Sequence, residues 1–382
     1  MFEIFVGYKN FLFLCLSKKN LKKLLYITNA IDGSGGLERV LSIKTKVLVE
    51  KYGYEIHIIT ISQRSSSDLF FPFSENIILH HIEVSRSAIQ YLYHYVKGIK
   101  KVISEIRPDV ILVCDDGLKA FFLPMILGKK IPIIYERHAS ILISHRENFM
   151  SYFKHKLVHL IMKSQMKNFA KFVILTESNK KEWKGNNLVV IPNPTPYWPD
   201  LTSKLDKNKI IAVGSHSYNK GYDRLLNIWK KIEEEQKEWE LHIYGQWHQS
   251  TFIELAEKLQ LQSVFFHRPI ISIHDAYLES SILVFPSRSE GFGMVLIEAM
   301  SFGIPCVSFD CPTGPSDIIK HEEDGFLVTN GNEKEFAEKL QMLMMNEILR
   351  KEMGGNARRN VERFMPENVL KMWDELIKGL SQ

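Results

Sequence analysis

Residues 286–310, PSRSEGFGMVLIEAMSFGIPCVSFD, carry two carboxylates, Glu290 and Glu298, eight positions apart, with Gly291 and Gly293 between them. The preceding ILVFP reads as a buried strand, and MVLIEAMSFG reads as an apolar-faced helix closed by Gly303. The helix therefore opens at the carboxyl end of a strand, where free backbone N–H groups and the positive dipole end suit a diphosphate. Gly291 and Gly293 remove side chains where a ligand would approach the backbone. Glu298 falls roughly 7–8 Å down the helix axis, so the two acids could hold hydroxyls at both ends of one ligand. Taken alone, Glu290 would be a loop charge and Glu298 a solvated helix residue. The glycines around them favour a site.

Three more segments could contribute chemistry. In AVGSHSYNKGYDRLL (212–226) a strand ends at Gly214, Ser215 follows, and Lys220 stands at the entrance of a helix beginning near Gly221. A lysine there can neutralise a leaving diphosphate, although an exposed lysine before a helix is commonplace. GSGGLERV (33–40) pairs Gly35 with Gly36, and its spacing does not fit the dinucleotide fingerprint. IIYERHAS (133–140) closes a strand on His138, a position that is as readily structural as functional.

These residues must be positioned by alternating elements. Short apolar runs separated by amphipathic stretches mark a βα-wound parallel sheet. KLLYIT (23–28), EIHIITI (55–61), VILVC (110–114), PIIYE (132–136) and FVILT (172–176) form one series. VVIPNPTPYWPD (189–200) breaks it with four prolines and reads as a linker. KIIAVG (209–214), WELHIYG (239–245), SVFF (263–266), ILVFP (282–286), PCVSFD (305–310) and GFLV (325–328) form a second series. The expected division is a leader or interfacial segment (1–22), a first wound domain (23–196), a second wound domain (197–365), and a C-terminal helix (366–382) crossing back to the first domain. Ligands of such folds bind in the cleft between the carboxyl ends of the sheets.

Composition narrows the partners. A chain of 382 residues exceeds the usual single-core limit, which fits two domains. Its net charge of +5 is uneven: 28 Lys/Arg against 17 Asp/Glu over residues 1–200, and 21 against 27 beyond. That fits a first half meeting something anionic, or simply an uneven solvated surface. Cys15, Cys114, Cys306 and Cys311 form no metal-binding pattern and read as reduced thiols of a cytosolic protein. FLFLCL (11–16) is too short to span a bilayer, and its positive charges follow it. Residues 1–22 read as a leader in preference to a weak interfacial anchor. The basic amphipathic stretch 144–172 could lie on an anionic membrane or pack as an ordinary helix. No dense basic stripe or known motif points to nucleic acid.

EGFGMVLIEAMSFGIPCVSFDCPTGPSDII resembles the E-x7-E signature of retaining glycosyltransferases of family four, the "glycosyl transferases group 1" type. The likeness covers most of residues 210–317 and recurs at separate points in the first half. It implies an α/β fold of the GT-B kind, two Rossmann-like doubly wound domains facing across a cleft. By that resemblance Glu290 contacts the donor sugar, Glu298 the ribose, and Lys220 with Gly221 the donor phosphates. Gly214, Ser215, Gly291, Phe292, Gly293 and Met294 would complete the donor site, with Gly35 and Gly36 approaching from the other domain. His138 would orient the reacting sugar, so that His138, Lys220 and Glu290 make the catalytic set.

The chain also departs from the family. Many relatives carry arginine where Ser215 stands, and Arg288 or Arg268 would have to compensate. Trp247 and His267 occupy positions where relatives often have glycine, which implies a reshaped base pocket. The implied reaction is retaining transfer of a hexose or N-acetylhexosamine from a nucleotide-diphosphate sugar, with UDP favoured. The acceptor would be a lipid-linked or polysaccharide glycan of the cell envelope. The alternatives are a sugar-nucleotide 2-epimerase and a catalytically silent sugar-nucleotide binder. No cofactor or divalent metal is expected, because CDDG (114–117) is not a sugar-transfer D-x-D. The expected location is cytoplasmic, at most peripheral on the inner face of the plasma membrane.

Overall fold

The computed structural model describes residues 22–33, 35–61, 69–85, 87–141, 149–247, 249–270 and 272–380, so Cys15 and residues 1–21 of the expected leader lie outside the described residues. Two parallel sheets form. The first contains β1 (Lys23–Thr28), β2 (Glu55–Thr60), β3 (Ile78–His81), β4 (Val110–Cys114), β5 (Ile133–Glu136), β6 (Lys171–Ile174) and β7 (Leu188–Val190), in the order β3-β2-β1-β4-β5-β6-β7. The second contains β8 (Lys209–Val213), β9 (Glu240–Tyr244), β10 (Val264–His267), β11 (Ile282–Phe285), β12 (Cys306–Asp310) and β13 (Gly325–Thr329), in the order β10-β9-β8-β11-β12-β13.

The period-two side-chain alternation of a strand explains the layering. Leu24 and Tyr26 of β1 enter one core cluster while Leu25 and Ile27 enter another. In β8, Ile210 and Ala212 pack on one face and Ile211 on the other. Strands buried on both faces read as unbroken apolar runs because helices cover both sides. Each fully buried Leu or Ile contributes roughly 1.5–3 kcal/mol.

Two strand assignments need correction. Val189 and Val190 are not linker: with Leu188 they pair with β6 as an edge strand before the prolines begin. β3 is an additional edge strand, with Ile78 and Leu79 exposed. The thiols of Cys114, Cys306 and Cys311 are free and buried.

The closing helix Pro366–Leu380 packs on the first sheet's side. Its Val369, Leu370, Trp373 and Ile377 share a core cluster with Leu24, Tyr26 and Ile56, and Tyr54 donates to Asp374 at 2.8 Å. The chain therefore crosses between domains twice. In each sheet the strand order reverses beside the first strand, between β1 and β4 and between β8 and β11. Crevices open at the carboxyl ends of such switch points.

Candidate active site

Loops leaving β1, β4 and β5 face loops leaving β8, β9 and β11 across a cleft of about 670 Å³. That volume lies within the range of small-molecule sites. The first domain lines it with Gly35, Gly36 and His138. The second contributes Gly214, Ser215 and Lys220 after β8, and residues 290–294 with Glu298 after β11. Arg268 is not among the lining residues.

Lys220 reaches the cleft across a bare backbone. A side chain on Gly214 would stand only 3.1 Å from the Lys220 stem and 3.2 Å from the Tyr222 hydroxyl. Gly221, at φ +68, turns the chain into helix Tyr222–Glu233, and a methyl there would meet the Pro286 carbonyl at 2.1 Å. The Lys220 Nζ so positioned lies 2.7 Å from Glu290 Oε1. In the loop after the neighbouring strand β11, Gly293 at φ +103 starts helix Met294–Ser301, and the Thr313 hydroxyl donates to the Glu290 carbonyl. The loop holding Glu290 is thus fixed at both ends.

Glu298 is almost fully buried, and its oxygens accept from two directions. Tyr277 donates its hydroxyl at 3.1 Å, and Arg39 donates Nη1 at 2.8 Å from across the cleft. Arg39 comes from helix Gly36–Glu50, where its guanidinium sits 4.6 Å from the Tyr197 ring centre and 5.3 Å from that of Phe71. Other contacts join the domains nearby. Ser178 donates its N–H and its hydroxyl to Asp317, and a methyl on Gly291 would stand 1.9 Å from the His138 carbonyl oxygen.

His138 is backed by buried charge. Its Nε2 lies 3.4 Å from Glu136 Oε2, and Lys44 Nζ lies 2.5 Å from Glu136 Oε1. Lys44 in turn sits 3.6 Å from the ring centre of Trp373 on the closing helix. Burial pushes the Glu136 carboxyl up, but Lys44 and His138 outweigh it and hold it at about 2. Removing one partner of such a pair costs about 3–5 kcal/mol, so Lys44 and Glu136 are as much structural as functional. Cys114, Glu136 and His138 could offer three metal ligands within 4.8 Å of one another. A metal would have to share Glu136 with the Lys44 ammonium already on it.

The two arginines expected to replace a cation at Ser215 are occupied elsewhere. Arg288 grips Asp223 with both terminal nitrogens, at 2.7 and 2.6 Å, and covers the Tyr218 ring. Arg268 lies 3.8 Å from the Trp247 ring centre and donates to the Trp247 carbonyl at 3.0 Å. Trp247 also stacks on His216, whose imidazole is pushed down to about 4 by burial and then by Arg268. His267 stacks on the cleft residue Tyr244 and shares a 2.9 Å hydrogen bond with His242.

Sequence reasoning missed Arg39, Asp116, Asn193 and Tyr244, all of which line the cleft. Asp116 pairs with Arg137 at 3.0 Å and accepts the His138 N–H at 3.4 Å, so it shapes the turn carrying His138. Asn193 lies in the proline-rich segment read as linker, which signalled a bend and no ligand contact.

Residues 198–360 match a family model described as "Glycosyl transferases group 1". The chain is 29% identical over 366 residues to an uncharacterized glycosyltransferase of Haemophilus influenzae, covering 94% of this chain and 100% of that one. It is 28% identical over 373 residues to the amylovoran biosynthesis glycosyltransferase AmsD of Erwinia amylovora, covering 93% and 99%. Among solved structures it superposes on a TarM variant of S. aureus, crystallised with fondaparinux, α-GlcNAc-glycerol and UDP, with TM-score 0.76 at 16% identity. That match covers 94% of this chain and 100% of TarM. The fold is GT-B.

Proposed function

We propose, from the match of residues 198–360 to the glycosyl transferases group 1 model, that the chain is a retaining glycosyltransferase of that family using a nucleotide-diphosphate sugar, UDP favoured. The observation that carries this reading is convergence. Lys220, Glu290, Glu298, His138 and the Gly35–Gly36 turn, drawn from both domains, line a single cleft. Its likeness to AmsD supports an acceptor in envelope polysaccharide synthesis, lipid-linked or glycan. The UDP held by TarM supports the donor class.

In this reading the donor diphosphate lies at the start of helix Met294–Ser301, where backbone N–H groups and the Lys220 ammonium meet the charge that grows as the sugar–phosphate bond breaks. Glu290 accepts from sugar hydroxyls and Glu298 from the ribose. His138 holds the sugar from the opposite wall. The leaving phosphate takes the acceptor's proton on the face it departs from, which preserves the anomeric configuration without a protein nucleophile. Lys220 and the helix end supply the electrostatic work, so no divalent metal is required.

The test is nucleoside-diphosphate release from UDP-, GDP- and ADP-sugars with membrane extract as acceptor, wild type against Glu290→Ala, with and without EDTA. Turnover of one donor that collapses in the variant and survives EDTA is expected. Donor binding without any turnover would indicate a silent binder, and conversion of the donor sugar without an acceptor would indicate an epimerase. Activity lost to EDTA and restored by Mg²⁺ would overturn the metal-free mechanism.

We also read helix Phe149–Met166 as a contact for anionic lipid. It exposes Leu157 and Leu160 beside Lys156 and Lys163, while residues 142–148 of the basic stretch lie outside the described residues. Among the described residues no helix is long and apolar enough to cross a membrane, so the contact would be peripheral. Flotation with anionic liposomes but not with neutral ones is the expected result. Equal flotation with both would refute an electrostatic contact.

A further inference from the structure

A donor diphosphate brings two or more negative charges into a cleft that already holds Glu290 and Glu298. Among the described residues lining the cleft, the permanent cations are Lys220 and Arg39. Ser215 supplies no charge, Arg288 is committed to Asp223, and Arg268 lies against Trp247. Arg39 therefore stands out. It arises from the first turn and a half of helix Gly36–Glu50, directly after the Gly35–Gly36 turn, on the wall facing Lys220.

Its geometry fits an anion ligand. Glu298 uses Nη1 alone, and the guanidinium is held between the Phe71 and Tyr197 rings. The side chain remains 17% exposed at the cleft. Guanidinium offers five donors in a rigid fork, so several N–H groups can address a phosphate while one stays on Glu298. Aromatic packing fixes the fork beforehand, which lowers the ordering cost of binding.

We propose that Arg39 is the second cation for the donor diphosphate, supplied across the cleft from the first domain in place of the arginine missing at Ser215. The inference rests on the donor class proposed above. It has a structural corollary: a donor seated on the second domain and gripped by Arg39 ties the two domains together. Arg39 also braces Glu298, and the experiment must separate that role from phosphate binding.

The wild type is first titrated calorimetrically with UDP, GDP and ADP. The tightest diphosphate is then compared with its nucleoside, in wild type, Arg39→Gln, Arg39→Lys, Arg268→Ala and Arg288→Ala. Arg39→Gln is expected to weaken the diphosphate by about 10- to 100-fold, the size of a charge-assisted hydrogen-bond loss, and the nucleoside by much less. Arg39→Lys, which keeps the charge without the fork, should fall between the two, and it preserves the test if the glutamine variant fails to fold. Equal losses for diphosphate and nucleoside would mean that Arg39 acts only through Glu298, overturning the proposal. So would an unchanged diphosphate affinity, or a loss confined to Arg268→Ala or Arg288→Ala. A wild type that binds no nucleoside diphosphate would instead overturn the donor reading itself.

Discussion

Lys220→Ala is expected to lower kcat for the donor by about 10²- to 10³-fold, the usual cost of removing one group that meets developing charge. The expected loss of thermal stability is small. The Lys220–Glu290 pair is partly exposed, with side chains 24% and 12% accessible, and pairs of that kind contribute about 1 kcal/mol or less. In the absence of Lys220, Glu290 would present an unpaired carboxylate to an incoming diphosphate. The double variant Lys220→Ala/Glu290→Gln should therefore bind the nucleoside diphosphate more tightly than Lys220→Ala alone, although it recovers no turnover. Steady-state kinetics, calorimetry and a melting curve on the three proteins read these effects separately. An unchanged kcat in Lys220→Ala would remove the residue from the chemistry. A double variant that binds no better would show that the 2.7 Å contact does not govern the charge of the cleft.

The two wound domains are legible in the sequence because a strand covered on both faces must be apolar throughout. VILVC (110–114) and ILVF (282–285) are buried along their whole length. The edges are less legible. β3 ends in two histidines and is largely exposed, so it lacks the apolar signal, and β7 runs straight into prolines that hide it. The same contrast holds in the cleft. Glu290, Gly291, Gly293 and Glu298 sit on one strand–loop–helix unit, so their spacing alone reports that they share a face. Arg39 was in plain view within GSGGLERV, yet its partner Glu298 lies 259 positions away. No local periodicity records such a pairing, which exists only because two separately folded sheets meet. Arg288 shows the reverse case: its sequence neighbourhood points to the cleft, but Asp223 on the adjacent helix captures it. Charge near a site in sequence becomes charge in the site only when nothing closer neutralises it.

Gly291→Ala is expected to reduce kcat/KM by about 10²-fold while leaving the fold of each domain intact. Gly291 has no left-handed φ that would exclude alanine, so the substitution should be tolerated within the second domain. The obstruction comes from the first domain: the added methyl would stand 1.9 Å from the His138 carbonyl oxygen and 2.9 Å from its carbon. Both are backbone atoms, fixed by the Asp116 carboxylate, which accepts the His138 N–H at 3.4 Å. Relief requires the domains to part by about 1 Å or more, and a misplacement of that size typically costs about 10²-fold in rate. Separation would also lengthen the Arg39–Glu298 contact, now 2.8 Å, so affinity for the nucleoside diphosphate should fall with it. Gly293 makes a useful contrast: its φ of +103 strains any side chain, and its nearest would-be contacts are Leu296 and Ile318 of its own domain. Gly293→Ala should therefore lower the melting temperature, whereas Gly291→Ala should lower activity at nearly constant melting temperature. If Gly291→Ala instead turned over donor at the wild-type rate, the close approach of His138 to the Glu290 loop would not be part of the catalytic arrangement.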